Sequence, residues 1–254
     1  MKASVLCVYN EGSQPDTSYI GAKGFSVMID VDGERTLFGT GLRGRYLVHN
    51  MEHLGIEADS ISRVVVSHGH ADHARAVSAL LDARSGPVPI YAPTEAWGSA
   101  GPLSKDGISL AKRTESKAER RDVTGWTQIS KHLFLTPPAE GEGTSETFIV
   151  LAGGNRPILI SGCCHCGIEA VLEIVREKFG DYPRALIGGL HLEKAPKKTA
   201  YATAEKLRDA ECQDLYLNHC TGPKGALRIR EVLSLGGVKE YNVGDKLEYE
   251  LGLM

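Results

Sequence analysis

Residues 67–74 read SHGHADHA and place three histidines and one aspartate between positions 68 and 73. The apolar residues before this stretch predict a strand over 63–66, and the sequence ARAVSALLDA after it predicts a helix. Four polar side chains on a tight turn would need many separate partners if buried, whereas a shared cation satisfies them together. Imidazole nitrogens and carboxylate oxygens are ordinary ligands of zinc, iron and manganese. The stretch therefore predicts a metal site at the end of a strand.

The composition indicates a globular protein without a special class of macromolecular partner. The 254 residues carry a formal net charge of -3, and lysine and arginine are scattered along the chain. We therefore expect no nucleic-acid partner, and without a long apolar run we expect no membrane partner. Cysteines of a secreted scaffold are densely spaced, whereas four of the six here lie beside histidines: Cys163, Cys164, Cys166 and Cys220. We therefore expect the cysteines to be free thiols and not disulfides, and we expect a cytoplasmic location.

Apolar strands alternate with turns and helices along the chain, which predicts an α/β fold. A second strand, turn and helix begins near residue 157, and two later strand-like runs end in His191 and His219. Such turns meet at the carboxyl edge of a sheet, where sites are usually built. We predict one domain over 1–254, with an insertion or lid at about 95–130 and a second loop, PPAEGEGTSE, at 137–146.

SHGHADHA resembles the His-x-His-x-Asp-His signature of the metallo-β-lactamase superfamily. Further stretches resemble, in order, the motifs of one branch, the 7,8-dihydropterin-6-methyl-4-(β-D-ribofuranosyl)aminobenzene 5′-phosphate synthase-like proteins. These stretches are GFSVMIDVDGERTLFGTG (24–41), VVVSHGHADH (64–73), ILISGCCHCGI (158–168), IGGLHL (187–192) and YLNHCTG (216–222). The resemblance implies a four-layer αββα sandwich, in which two mixed sheets lie face to face with helices outside.

The same resemblance implies a set of metal ligands for one or two divalent ions. It assigns His68 and His70 to a first ion, and Asp72 and His73 to a second. Two further ligands are expected from later turns: His165 for the first ion and His219 for the second. Zinc is the expected metal, with iron or manganese as alternatives.

Two positions depart from the pattern of hydrolytic relatives. Cys163 stands where those relatives carry a bridging aspartate, so either its thiolate replaces the carboxylate as a metal ligand or solvent alone forms the bridge. Gly39 replaces an aspartate that usually supports the histidine cluster. His132 and His53 have no supporting context, and we expect them to be structural or exposed.

The expected function is metal-dependent hydrolysis, in which a metal-bound hydroxide is the nucleophile. Asp72 would orient the water, and His191 would donate a proton or hydrogen bond to a leaving oxygen, although it could also bind the metal, contact substrate or support another ligand. The branch favours a small phosphorylated substrate, either a phosphoester or a cyclic phosphodiester. Two alternatives remain open: a pterin-pathway synthase or transferase, and a noncatalytic metal-binding or redox-sensing protein.

Overall fold

The structure is a computed structural model that describes residues 1–98, 106–212, 214–233 and 235–252. The chain divides into two compact units, which are described separately. The first unit comprises Met1–Thr124 and Asn242–Glu250, and the second comprises Gly125–Tyr241 and Leu251–Met254.

Each unit is built on one large sheet. The strands of the first unit begin with β1 (Lys2–Tyr9), β2 (Ser26–Val31), β3 (Glu34–Phe38), β4 (Ile61–Val65), β5 (Val88–Pro93) and β6 (Ala118–Val123). The second unit contains β7 (Thr127–Gln128), β8 (Leu133–Leu135), β9 (Ala139–Gly141), β10 (Thr144–Glu146), β11 (Ile149–Leu151), β12 (Ile158–Ser161), β13 (Ala185–Gly188), β14 (Asp214–Leu217) and β15 (Val238–Glu240). The last strand, β16 (Lys246–Glu250), belongs to the first unit.

Among the described residues, each unit contains three α-helices. The first unit contains α1 (Gly44–His53), α2 (Ala71–Ala74) and α3 (Val77–Asp82), and the second contains α4 (Ile168–Phe179), α5 (Lys197–Asp209) and α6 (Gly222–Val232). Short 3-10 helices occupy Ala58–Ser60, Thr94–Ala96, Glu115–Lys117, His219–Thr221 and Leu235–Gly237.

The sheet of the first unit has the order β16-β1-β2-β3-β4-β5-β6. Its strands are antiparallel from β16 to β3 and parallel from β3 to β6. Asp32 and Gly33 form the turn between β2 and β3 with positive φ angles of 50° and 89°. Asp-Gly favours this turn because both residues adopt the left-handed region readily. Buried side chains of α1 and α3 complete the apolar core of the unit.

The large sheet of the second unit has the order β15-β14-β13-β12-β11-β8-β7, while β9 and β10 form a separate hairpin. β12, β13 and β14 run parallel, and Ser161 pairs with Gly188, which pairs with Leu217. β12 and β13 are buried along their whole length, as expected for the continuous apolar runs of a parallel sheet. The carboxyl ends of these three strands therefore lie side by side at one edge of this sheet.

The predicted insertion at about 95–130 falls partly on residues 99–105, which lie outside the described residues. The described remainder includes β6, which pairs in parallel with β5 at the edge of the first sheet. The predicted loop at 137–146 contains the β9–β10 hairpin. Among the residues that the structure describes, we find no helix with the length and apolar character needed to cross a membrane.

Candidate metal-binding site

The histidine cluster of the first unit lies directly after β4. His68 and His73 are fully buried, and His70 and Asp72 are half-buried. The ring of His68 lies 4.8 Å from that of His70 and 4.4 Å from that of His73, measured between centroids. The strand ends before His68 and the short helix α2 begins at Ala71, so this turn brings the imidazoles of His70 and His73 into contact with that of His68.

Neighbouring residues of the first unit hold these histidines in place. Ser67 Oγ lies 2.9 Å from His68 Nδ1, a contact that orients the ring and leaves Nε2 as the nitrogen for a ligand. Thr40 donates two hydrogen bonds to the backbone oxygen of His73, from its N–H at 2.8 Å and from its hydroxyl at 3.0 Å. The cluster is therefore fixed through both its side chains and its backbone.

Gly39 cannot carry the supporting aspartate of hydrolytic relatives in this conformation. Its φ angle is 70°, and a Cβ at this position would lie 2.4 Å from the backbone oxygen of Phe25. Glycine is required where the chain combines a left-handed φ with such a close approach. In this chain, support from the same segment comes instead from the adjacent Thr40.

In the second unit, the turn SGCCHCG follows β12 and surrounds a buried carboxylate. Glu146 accepts hydrogen bonds from the backbone N–H groups of Cys163 at 2.7 Å and His165 at 3.0 Å. Burial raises the pKa of Glu146 to about 7, although the backbone donors of this turn act in the opposite direction. Glu146 thus fixes the backbone on which two predicted ligands are carried.

His165 and His191 both lie near a second carboxylate, that of Glu142, on the turn between β9 and β10. Glu142 Oε2 lies 3.0 Å from His191 Nε2 and 3.7 Å from His165 Nδ1, and the two imidazole centroids are 4.2 Å apart. One ligand atom from each of the three residues lies within 4.8 Å of the others, which is a spacing that could hold a metal ion. This group unites two predicted site residues with one that the sequence analysis did not select.

Two cysteines also lie close to His191. The ligand atoms of Cys163, His191 and Cys220 also lie within 4.8 Å of one another. Burial alone would raise the pKa of Cys220, but hydrogen bonds with Cys163 and His191 lower it below its usual range. The hydrogen bond to Cys220 in turn raises the pKa of His191, against the effect of burial. Cys164 belongs instead to the apolar core of the second unit.

His219 follows β14 and is buried beside the same strand ends. Asn218 fixes this turn, because its side chain accepts a hydrogen bond from the backbone N–H of Cys220 at 3.1 Å and donates one to the backbone oxygen of Gly162 at 2.7 Å. Asn218 therefore connects the turn after β14 with the turn after β12. His132 is buried elsewhere, with Nδ1 2.9 Å from the backbone oxygen of Ala152, as expected for a structural histidine.

The residues predicted from the sequence are divided between the two units. The first carries His68, His70, Asp72 and His73, and the second carries Cys163, His165, His191 and His219. Within each unit the donor set is made of imidazole, carboxylate and, in the second, thiolate groups, which are the ligands that zinc and related ions take in proteins. The side chains present therefore fit divalent metal ions.

Sequence reasoning missed Glu142 and Glu146, and it placed Cys220 beside histidines without selecting it as a site residue. Both glutamates lie in PPAEGEGTSE, which has no periodic pattern and was interpreted only as a loop. The burial of Glu146 beside the turn at 163–165 is a tertiary contact that local composition does not encode. For Cys220, the position after β14 at the carboxyl edge of the sheet was a usable signal.

The chain belongs to the metallo-β-lactamase superfamily, since the model of that family matches residues 20–216. Its fold class, mixed α/β with two large sheets flanked by helices, is the metallo-β-lactamase class predicted from the sequence. The structure contains His, Asp and Cys clusters that could bind the divalent ions this fold implies. No curated protein matches the chain.

Several solved structures share this fold over almost the whole chain. Tm1679, described as a metal-dependent hydrolase of the β-lactamase superfamily, is 24% identical with a TM-score of 0.79, over 98% of this chain and 99% of that one. The metallo-β-lactamase fold protein YhfI from Bacillus subtilis is 13% identical with a TM-score of 0.68, over 98% and 99%. A diphosphatase from the PhnP family is 18% identical with a TM-score of 0.65, over 99% and 100%. The chain thus shares its fold with these proteins over nearly its whole length.

Proposed function

We propose that the protein is a metal-dependent hydrolase that cleaves a phosphoester or cyclic phosphodiester bond in a small molecule. The observation that carries this proposal is the cluster of His68, His70 and His73 at the end of β4, in which imidazole centroids lie 4.4 and 4.8 Å apart. Packing alone does not account for several imidazoles gathered at one strand end, whereas metal ligation does.

The proposed ligands are those that the sequence singled out. His68, His70, Asp72 and His73 serve in the first unit, and Cys163, His165 and His219 serve in the second. Zinc is the proposed metal, in one or two copies. Bound divalent ions would supply Lewis-acid polarisation of a phosphoryl oxygen and would acidify water enough for hydrolysis near neutral pH.

Two side chains have proposed roles in the chemistry beyond holding a metal. Asp72 lies in the first turn of α2, half-buried, and is assigned the orientation of the attacking water. His191 is assigned donation of a proton or hydrogen bond to the leaving oxygen through Nε2, the nitrogen that lies 3.0 Å from Glu142.

The phosphorylated substrate class rests on two lines of support. One structural neighbour is described as a diphosphatase, and the sequence motifs resemble a branch named for a phosphorylated pterin derivative. The comparisons do not favour a pterin synthase, a transferase or a noncatalytic redox sensor. The proposed substrate is a small molecule, without a nucleic-acid or membrane partner, and a cytoplasmic location stays a prediction.

The test is a substrate screen of zinc-, manganese- and iron-reconstituted protein against phosphodiesters, cyclic phosphodiesters, phosphomonoesters, lactones and thioesters. We expect turnover of phosphoesters well above that of the other classes. A protein that cleaves lactones or thioesters but no phosphoester would contradict the substrate class while leaving metal-dependent hydrolysis intact. No turnover of any class by protein with full metal content would contradict the hydrolase itself.

A further inference from the structure

Three parallel strands of the second unit bring two cysteines and a histidine to one edge. Ser161, Gly188 and Leu217 lie in register at the ends of β12, β13 and β14. Cys163 follows the first of these residues by two positions, and His191 and Cys220 follow the other two by three. Because parallel strands end at the same edge, these three side chains meet although they are far apart in sequence.

The spacing of the three side chains matches the needs of one metal ion. Their ligand atoms lie within 4.8 Å of one another. Two sulfur ligands of a tetrahedral zinc ion, each at about 2.3 Å, lie about 3.8 Å apart, so a shift of about an ångström or less would bring the two thiols to that separation. Cys163 is 3% exposed and Cys220 is 6% exposed, while the side chain of His191 is 40% exposed. The thiol groups are therefore shielded, and solvent still reaches the imidazole.

The backbone is shaped around the Cys220 sulfur. A Cβ on Gly189 would lie 2.2 Å from Cys220 Sγ and 2.5 Å from the backbone oxygen of Gly162, so glycine makes room for the thiol. His191 has a φ of 50°, a left-handed conformation that is uncommon outside glycine and often occurs at functional sites. Its Nδ1 is buried, whereas Nε2 faces Glu142. An edge that only packed apolar side chains would require neither a glycine at position 189 nor a left-handed conformation at His191.

We propose that Cys163, His191 and Cys220 form a three-ligand site for a thiophilic divalent cation such as Zn²⁺. Two thiolates and one imidazole are soft to borderline donors, which select zinc over magnesium or calcium. Three protein ligands leave a fourth tetrahedral position for water or substrate. This site rests on the proposed function, in which Cys163 and His191 already take part. What it adds is Cys220 as a ligand and His191 Nδ1 as the ligating nitrogen, which leaves the N–H at Nε2 of His191 to donate a hydrogen bond to the leaving oxygen.

Cobalt substitution counts the thiolate ligands directly. Full-length protein, reduced and freed of metal, is titrated with Co²⁺, and the thiolate-to-cobalt charge-transfer absorption is measured. We expect Cys163→Ser and Cys220→Ser each to remove about half of this absorption, and the double variant to remove it, because its intensity follows the number of bound thiolates. Cys166→Ser is the matched control, since Cys166 lies on the same turn after β12, and it should leave the absorption unchanged.

A loss confined to Cys163→Ser, with Cys220→Ser equal to the unmodified protein, would overturn the inference and leave a metal-dependent hydrolase with a single thiolate ligand. Cadmium titration of the unmodified protein avoids dependence on variants that fold poorly. Its thiolate absorption, calibrated against cadmium thiolate complexes, should correspond to two thiolates, and a value for one or none would overturn the inference. Neither absorption measurement depends on turnover, so a negative result here is distinguishable from a failure of the proposed hydrolysis.

Discussion

Glu146 accepts a 2.7 Å hydrogen bond from the backbone N–H of Cys163, and this contact places a fully buried carboxylate under the turn that carries two predicted metal ligands. The second carboxylate oxygen accepts the N–H of His165 at 3.0 Å. A turn that departs from regular structure leaves its backbone donors without ladder partners, and a buried acceptor satisfies them. The side chain of Glu146 therefore supplies the hydrogen-bond acceptors that a strand or helix would otherwise provide for this segment.

Glu146→Ala should destabilise the protein by about 2–5 kcal/mol, because two buried N–H groups would lose their acceptor. Glu146→Gln should cost less, since its amide oxygen still accepts one of the two bonds. Urea unfolding measures both free energies, with Glu140→Ala on the exposed face of β9 as the control. Equal unfolding midpoints for Glu146→Ala and Glu140→Ala would contradict this structural role.

Gly189→Ala should displace the Cys220 thiol, because the added Cβ would lie 2.2 Å from Sγ. We expect a loss of stability of about 1–3 kcal/mol and a loss of thiolate-to-cobalt absorption. Gly125→Ala is the control, since a Cβ there would meet no atom of the described residues within 4 Å. A variant at Gly189 that keeps full stability and absorption would show that the close approach is not maintained in solution.

The sequence anticipated the parts of the site that depend on local pattern. Each strand followed by a ligand-bearing turn was recognisable, as β4 before His68 and β12 before Cys163 show. Glu146 was not recognisable as a site residue, because its burial depends on the packing of a hairpin against a distant turn. Likewise, the strand β6 lies in a charged segment without alternation, and its pairing with β5 is a tertiary contact. Periodicity reports burial along an element, whereas these contacts depend on which elements meet.

Ser67→Ala should weaken metal binding without removing a ligand. Ser67 Oγ lies 2.9 Å from His68 Nδ1, and outer partners of this kind fix the ring orientation of ligating histidines. We expect a loss of metal affinity of about 10- to 100-fold, measured by competition with a chromophoric chelator. Ser78→Ala serves as the control because that hydroxyl bonds to Ser109 on a different segment. Unchanged affinity in Ser67→Ala would argue against ligation by His68.

Cys212 should make the protein sensitive to alkali. Burial raises the pKa of its thiol from 9.0 to about 12. Because the folded state holds this proton more tightly, the associated stability is fully present below about pH 9 and is lost as the pH rises towards 12. At about pH 10, roughly one unit above the ordinary thiol pKa, the free energy of unfolding should be lower by about 1.4 kcal/mol. Denaturant unfolding should show this loss in unmodified protein relative to Cys212→Ala; parallel pH profiles would contradict the burial of the thiol.

The most direct test of metal-dependent hydrolysis is the turnover of bis(4-nitrophenyl) phosphate by protein of known metal content. Chelator-treated protein should be inactive, zinc or manganese should restore turnover, and His68→Ala should lose both bound metal and activity. His53→Ala, which changes an exposed histidine at the end of α1, should match the unmodified protein in both. Turnover that persists after complete metal removal, or that survives His68→Ala at full rate, would contradict the account.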